Sequence, residues 1–140
     1  MLHRHPVTPA KPAYGLSLRG EAEARHFFEA CFADADPAIE TLFVAHVDAG
    51  SRCIHLSRHE GDATGAAMPL RTILLDAAQH GSEGVVVAHN HPSGDATPSV
   101  TDRQATRRLA DASEAIDVTL LDHLVFGGGN CTSFRRIGLL

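Results

Sequence analysis

A short apolar run that leads into two histidines constrains the fold of this chain more than any other feature. Residues 84–88 have the sequence Gly-Val-Val-Val-Ala, and a β-branched run bounded by glycine is typical of a buried strand. Because side chains alternate along a strand, His89 and His91 at its carboxyl end point to the same face. The sequence therefore predicts a buried strand that ends in a pair of imidazoles.

The residues after this pair complete a set of metal ligands. Residues 92–95 turn the chain, and Ser99 opens a helix whose first turn carries Asp102. From there the carboxylate of Asp102 can reach an ion that His89 and His91 bind at Zn–N distances of about 2.0–2.1 Å. Three protein ligands leave a fourth position for water, as in catalytic zinc sites, and the nitrogen-rich set favours one zinc ion per chain over other divalent ions.

Ser99 and Asp102 also have a purely structural interpretation. A serine at the N-cap with an acid three residues later can form a capping box at a helix start. The two interpretations are compatible, because the hydroxyl of a capping serine can lie near a metal. The conjunction of a strand, His-x-His, a tight turn and Ser-x-x-Asp at a helix start favours the metal site.

The spacing of these residues resembles the JAMM signature of JAB/MPN metalloproteases, which is His-x-His, seven residues, Ser, two residues and Asp. The strings His-Asn-His-Pro-Ser-Gly-Asp at 89–95 and Leu-Asp-His-Leu at 121–124 resemble the RadC branch of that family, over about residues 20–140. The resemblance implies an α/β fold of the three-layer JAB/MPN type, which is cytidine-deaminase-like, with a mixed β-sheet between helices.

The resemblance also implies catalytic roles. It makes Glu40, directly before a predicted strand, the catalytic acid/base, and Ser99 the donor that stabilises the oxyanion. Leu42 stands where the family usually has phenylalanine. The residues alone leave alternatives open, since Glu40 can be a solvated residue at a strand start. Glu60, in a predicted polar loop over residues 58–65, is the second candidate for the base.

Other polar residues near the motif have predicted roles as well. Glu83 lies at the far end of the strand, about 20 Å from His89, which excludes it as the base. Asp122 can orient a ligand imidazole, or Asp122 and His123 can be a polar pair at a strand break. Asn90 is expected to stabilise the turn after the strand.

Strands and helices alternate along the rest of the chain, which predicts one α/β domain over residues 19–140. Residues 1–18 contain three prolines and no periodicity, and we expect a flexible N-terminal tail there. The periodicity and the turn signals predict helices over 20–33, 69–80 and 99–114, and strands over 41–47, 53–57, 84–89, 118–121, 124–126 and 131–134.

Composition limits the classes of partner. The net charge is -5, and a cluster of three arginines on one helix is no basic stripe, so we do not expect direct nucleic-acid binding. No apolar run approaches the ~20 residues that span a bilayer, and the N-terminus lacks the apolar core of a signal peptide. We therefore expect a cytoplasmic protein without membrane contact. Three cysteines without a Cys-x-x-Cys pair indicate reduced thiols.

These features favour a zinc-dependent metallohydrolase that cleaves peptide or isopeptide bonds in a peptide or protein substrate. One alternative is a non-catalytic interaction module that a metal stabilises. Another is an accessory factor in DNA repair or mobile-element biology, as the RadC name suggests, although the helical DNA-binding-like domain of longer members is not expected in the residues before the JAB-like part. The motifs of nucleotide deaminases and of thermolysin-like proteases are missing.

Overall fold

The structure is a computed structural model that describes the backbone of residues 3–5 and residues 13–61 and 68–140 in full. In these residues the chain forms six β-strands and three α-helices. None of these helices is long and apolar enough to cross a lipid bilayer. The bounds of the elements, in chain order, are β1 (His3–His5), α1 (Gly20–Ala33), β2 (Thr41–Val47), β3 (Cys53–Glu60), α2 (Leu70–His80), β4 (Gly84–Asn90), α3 (Val100–Ala115), β5 (Thr119–Gly127) and β6 (Asn130–Ser133).

The strands form one mixed sheet in the order β1-β3-β2-β4-β5-β6. β4 and β5 run parallel, and the other neighbouring strands are antiparallel. A parallel pair needs a crossover connection, which α3 provides between β4 and β5. Every residue of β2 and of β4 is buried. Burial on both faces explains why these two strands are continuous apolar runs in the sequence rather than alternating ones.

Helices cover both faces of the sheet. On one face, Phe28 of α1 packs in a core cluster with Phe43 of β2. On the other face, Ile73 of α2 and Leu109 of α3 pack in a second cluster with Val87 of β4. The predicted α/β architecture, with a mixed sheet between helices, is therefore confirmed.

The helix ends follow local signals in the sequence. α2 begins after Pro69 and ends at Gly81, whose φ of 64° is the left-handed conformation that favours glycine at a helix end. α3 begins after Ser99, whose hydroxyl accepts a hydrogen bond from the backbone N–H of Asp102 at 2.9 Å. The carboxylate of Asp102 accepts one from the backbone N–H of Ser99 at 2.8 Å. The predicted capping box is therefore confirmed.

The segment predicted as a polar loop over residues 58–65 is a strand in its first part. β3 extends to Glu60, and its last residues pair with both β1 and β2. Arg58 donates a hydrogen bond to Glu60 at 2.7 Å, and its guanidinium lies 5.8 Å from the ring centre of Phe43. Pairing on both sides is a tertiary effect that local composition does not show. Residues 62–67 lie outside the described residues.

The structure also differs from the predicted tail over residues 1–18. His3–His5 form β1, which pairs antiparallel with β3. Leu18 is buried, and its backbone N–H donates a hydrogen bond to Ser51 O at 2.8 Å. Residues 1, 2 and 6–12 lie outside the described residues. Backbone pairing with the domain, which composition does not reveal, accounts for the difference.

β5 is one continuous strand where the sequence predicted two segments. Its register with β4 shifts between Val85 and Val86, and Leu121 is the extra residue on β5. A β-bulge of this kind changes the face to which the following side chains point. As a result, His123 lies on the same face of the sheet as His89, within hydrogen-bond distance of it.

His46 and His55 pair across β2 and β3. His46 is fully buried, and its Nδ1 lies 2.9 Å from the hydroxyl of Ser82. Burial, followed by the charges of His55 and His80, lowers the pKa of His46 to about 3. His46 is therefore neutral at pH 7.

The burial of His46 should make stability depend on pH. Its pKa is about 3 in the folded chain and about 6.5 in the unfolded chain, so between these values the unfolded chain binds a proton that the folded chain does not. The stability that neutral His46 contributes is full above about pH 6.5 and is lost as the pH falls towards 3, by at most about 1.4 kcal/mol per pH unit. Urea unfolding of the metal-free protein from about pH 4.5 to about pH 7 measures this slope.

The His46→Gln variant should show a flatter dependence of the unfolding free energy on pH than the wild type, even if it is less stable at pH 7. His26→Gln is the matched control, because His26 is an exposed histidine of α1 and its replacement should leave the slope unchanged. Equal slopes in wild type and His46→Gln would show that His46 does not carry the effect.

Candidate metal centre

Four side chains converge beside the carboxyl end of β4. The Nε2 atoms of His89 and His91 lie 3.0 Å apart. Oxygens of the Asp102 carboxylate lie 3.0 Å from His91 Nε2 and 3.4 Å from His89 Nε2. Glu40, His89 and His91 each offer a ligand-type atom within 4.8 Å of the other two. The structure thus brings the three predicted ligands and the predicted base together.

The separations suit a single tetrahedral ion. Two atoms that each lie about 2.0–2.1 Å from a zinc ion, at the tetrahedral angle, are about 3.3 Å apart. The observed separations of 3.0 Å and 3.4 Å lie close to this value. Two imidazoles and one carboxylate are also a donor set that zinc binds in proteins. The residues present therefore fit a zinc ion.

A hydrogen bond at Nδ1 of His91, the ring nitrogen that points away from the four convergent side chains, fixes the tautomer of this imidazole. Its Nδ1 lies 2.7 Å from the carbonyl oxygen of Asp95, and a carbonyl can only accept, so Nδ1 carries the hydrogen. In the neutral imidazole, Nε2 then has a free lone pair. That lone pair faces the carboxylate of Asp102 at 3.0 Å. Two acceptors this close favour a cation between them.

Asp102 is ionised at neutral pH. Burial by itself raises the pKa of Asp102, but its contact with His89 and the hydrogen bonds of Ser99 outweigh burial. The pKa of the carboxyl therefore lies below its usual range. The group that caps α3 is thus also an anion directed towards two imidazoles.

Asn90 holds the chain on both sides of Glu40. Its Oδ1 accepts a hydrogen bond from Thr41 N at 2.7 Å, and its Nδ2 donates one to Ile39 O at 3.1 Å. The backbone N–H of Gly61 donates to the carbonyl of Glu40 at 2.9 Å. The expectation that Asn90 stabilises its own turn is therefore wrong. Its carboxamide connects the end of β4 to the start of β2 and so positions Glu40 beside the ligands.

Ser99 lies at the exposed start of α3. Its Oγ accepts a hydrogen bond from Asp102 N, which leaves the hydroxyl hydrogen available to an oxygen outside the capping box. The capping role of Ser99 is observed in the structure, and its role towards an oxyanion stays a prediction.

Glu60, the second candidate for the base, and Asp122, the candidate for orienting a ligand imidazole, lie on the opposite face of the sheet. Glu60 is two residues from Arg58, which lies over Phe43 in the α1 face of the sheet, and alternation places Glu60 on that same face. Asp122 accepts hydrogen bonds from the Ser133 hydroxyl at 2.5 Å and from the backbone N–H of Arg135 at 3.0 Å. Asp122 therefore stabilises the chain after β6 and does not orient a ligand.

His123 takes the position that was considered for Asp122. It is fully buried, with its Nε2 2.7 Å from His89 Nδ1 and its Nδ1 2.6 Å from the hydroxyl of Thr106. Burial is the largest cause that lowers the pKa of His123 well below its usual range, so the ring is neutral. The Asp122-His123 string was the signal in the sequence. The sequence did not reveal the bulge at Leu121, which makes His123 rather than Asp122 point towards the site.

Two clefts lie beside the histidine pair, one lined by His89 and the other by His91. One, of about 280 Å³, lies against α3 and contains Glu40, His89 and Asp102, with Leu42 and Leu70 on an apolar wall. The other, of about 560 Å³, runs past His91 on the opposite side and is lined by Phe32, Pro92 and residues 126–130. Clefts with apolar walls and a few convergent polar groups are typical of ligand sites.

The contacts of Asn90 predict a large effect of its removal. Asn90→Ala removes two hydrogen bonds and leaves the buried N–H of Thr41 without its partner, so we expect the free energy of unfolding to fall by about 2–4 kcal/mol. Urea denaturation measures the loss. Asn90→Asp keeps an acceptor for Thr41 and should lie between the two proteins. Gln79→Ala, at an exposed position of α2, is the control, and an Asn90→Ala loss as small as that of the control would contradict the bridging role.

Comparison with known proteins identifies the family. A family model described as a RadC-like JAB domain matches residues 18–139. A UPF0758 protein of Symbiobacterium thermophilum is 42% identical over 104 residues, which are 74% of this chain and 44% of that protein. A UPF0758 protein of Xanthomonas euvesicatoria is 35% identical over an alignment of 144 residues including gaps, which covers 99% of this chain and 57% of that protein.

A third relative, a UPF0758 protein of Burkholderia cenocepacia, is 42% identical over 102 residues, which are 72% of this chain and 40% of that protein. The chain thus spans about half the length of the curated relatives it matches. The family match includes every residue of the candidate centre. The chain belongs to the RadC-like JAB domain family.

Proposed function

We propose that this protein is a zinc-dependent hydrolase that cleaves peptide or isopeptide bonds in a peptide or protein substrate. The observation that carries the proposal is the convergence of His89, His91 and Asp102, with separations of 3.0–3.4 Å, beside the carboxylate of Glu40. Membership of the RadC-like JAB family adds support, because the ligand spacing resembles that of metalloproteases.

Each chemical requirement of amide hydrolysis has a candidate group in this chain. Zinc bound by the three ligands would supply Lewis acidity and a water molecule with a pKa lowered towards about 7. Glu40 would take a proton from the attacking water and return it to the leaving amine as the C–N bond breaks. The hydroxyl of Ser99 would donate a hydrogen bond to the carbonyl oxygen as negative charge develops there.

The two clefts would offer room for a substrate on both sides of a reacting bond. The cleft against α3 has an apolar wall of Leu42 and Leu70 directly beside Glu40, which suits an apolar side chain. The cleft beyond His91 continues along Pro92 and the 126–130 turn. A substrate in extended conformation that occupied both clefts would pass beside Glu40, His89 and His91.

The proposal predicts zinc binding that depends on the ligands and not on the helix cap. Wild type supplied with zinc should retain about one ion per chain, and His91→Ala and Asp102→Asn should lose it. Ser99→Ala also breaks the capping box, at a cost of about 1 kcal/mol of stability, but should keep the ion. Elemental analysis after dialysis measures the stoichiometry. A wild type that remains metal-free after zinc is supplied would refute the hydrolase.

The catalytic part is tested with Glu40→Gln in the zinc-loaded protein. A library of bacterial peptides is incubated with each protein, and new termini are detected by mass spectrometry. Wild type should cleave, and Glu40→Gln should retain zinc but cleave at least about 10²-fold more slowly, because general base catalysis contributes about 10²–10⁴-fold. Glu60→Gln is the matched control and should cleave like wild type, since Glu60 lies on the other face of the sheet.

A different outcome would favour the second function class. If wild type binds zinc, cleaves nothing in the library or in intact bacterial proteins, and unfolds at a lower temperature once the ion is removed, the metal stabilises an interaction module.

A further inference from the structure

We infer that His123 and Thr106 are positioning residues that fix the tautomer of His89, so that its Nε2 faces the cluster as a lone pair even before a metal binds. The inference deepens the proposed function and rests on it for the identity of the metal. It concerns residues that the resemblance to metalloproteases does not assign.

The backbone carbonyl of Asp102 can only accept a hydrogen bond. Thr106 Oγ1 lies 2.6 Å from the backbone carbonyl of Asp102, one turn earlier in α3. A hydroxyl has one hydrogen, and the carbonyl has none to give, so the hydroxyl of Thr106 donates to Asp102 O. Its oxygen can then only accept from a third partner.

The third partner is His123, whose two ring nitrogens contact Thr106 and His89. Nδ1 of His123 lies 2.6 Å from Thr106 Oγ1 and must donate to it, because the hydrogen of the hydroxyl is already used. In the neutral imidazole, Nε2 of His123 is then an acceptor. It lies 2.7 Å from Nδ1 of His89, which must therefore carry a hydrogen.

His89 is thereby left with a lone pair on the atom that faces the cluster. With the hydrogen on Nδ1, Nε2 of neutral His89 is an acceptor, and it lies 3.0 Å from Nε2 of His91 and 3.4 Å from a carboxylate oxygen of Asp102. Nε2 of His91 is an acceptor too, because its Nδ1 donates to Asp95 O. Both imidazoles thus present lone pairs to the same point.

If the hydrogen bonds between Thr106, His123 and His89 ran in the opposite direction, a hydrogen on His89 would occupy the position of the metal. If Nε2 of His123 donated to His89, then Nδ1 of His123 would need the hydrogen of Thr106, and the carbonyl of Asp102 would lose its side-chain donor. Nε2 of His89 would then carry a hydrogen directed at His91, which a metal ion would have to displace. Donation of the Thr106 hydroxyl to Asp102 O, rather than to His123, selects the first arrangement.

The hydrogen bonds also join two ligands. The series runs from His89 through His123 and Thr106 to the carbonyl of Asp102, whose carboxylate lies at the cluster. Each of these contacts is between buried or half-buried atoms, and His123 and Thr106 are each 1% exposed. Water therefore competes little with the series, and the positions of His89 and Asp102 depend on each other.

The decisive comparison uses three residues at position 106. Thr106→Ser keeps the hydroxyl, whereas Thr106→Val keeps the shape and removes it. We expect Thr106→Val to weaken zinc binding by about 10- to 100-fold, and Thr106→Ser to bind like wild type. Thr72→Val in α2 is the matched control for a threonine to valine change in a helix, and it should leave the affinity unchanged. Competition with a chromophoric chelator measures the dissociation constants.

A second readout needs no metal. Two-bond ¹H–¹⁵N correlation spectra of the metal-free protein at about pH 8, where a histidine with an ordinary pKa is neutral, report which ring nitrogen of His89 carries hydrogen. Wild type and Thr106→Ser should show hydrogen on Nδ1. Thr106→Val, and His123→Leu if it folds, should show a shift towards Nε2. His46→Gln, which alters a buried histidine outside the cluster, should not change the His89 signals.

The outcomes separate this inference from the function it builds on. A wild type with no zinc affinity but an Nδ1–H tautomer of His89 would refute the proposed hydrolase and leave the positioning role supported. Zinc binding with equal affinity in wild type and Thr106→Val would overturn the positioning role and leave the hydrolase standing. An Nε2–H tautomer in the metal-free wild type would also overturn it.

Discussion

The candidate site depends on the position of β4 between an antiparallel neighbour and a parallel one. Antiparallel pairing places the start of β2 beside the end of β4, with Leu42 opposite His89, and this brings Glu40 to the ligands from a distant part of the sequence. Parallel pairing with β5 requires a crossover, and the crossover helix α3 starts just beyond the turn after β4, so its first turn carries Asp102. A single arrangement of strands therefore brings the predicted base and the predicted ligands to one edge of the sheet.

Much of this arrangement could be predicted from the sequence, because the features involved are local. His89, His91 and Asp102 lie within a strand end, a turn and a helix start, where alternation and capping rules apply over a few residues. The buried strands were recognisable for the same reason, since burial on both faces produces an apolar run without alternation. Glu40 was different. From the residues alone, both Glu40 and Glu60 remained candidates for the base. Only the resemblance to a family favoured Glu40.

The residues that the sequence did not assign act across strands. Asn90 bonds to the chain on both sides of Glu40, and neither partner is near it in the sequence. His123 faces the site because the bulge at Leu121 shifts the alternation of β5 by one residue, and a one-residue shift exchanges the two faces of a strand. Without the register, only Asp122 was considered for orienting a ligand imidazole, and His123 was not. The strand character of residues 58–60 also arises from pairing with neighbours on both sides.

The polar atoms around the site have a common organisation. The Nδ1 atoms of His89 and His91 each donate a hydrogen bond to an acceptor outside the site. The acceptor is the neutral imidazole of His123 for His89 and the carbonyl of Asp95 for His91. The inner nitrogens and the carboxylate of Asp102 then form a set of acceptors 3.0–3.4 Å apart. Acceptors this close repel one another in a half-buried site unless a cation lies among them. A metal ion bound among these acceptors would relieve their repulsion, so metal affinity and the stability of this domain would be linked through the same hydrogen bonds.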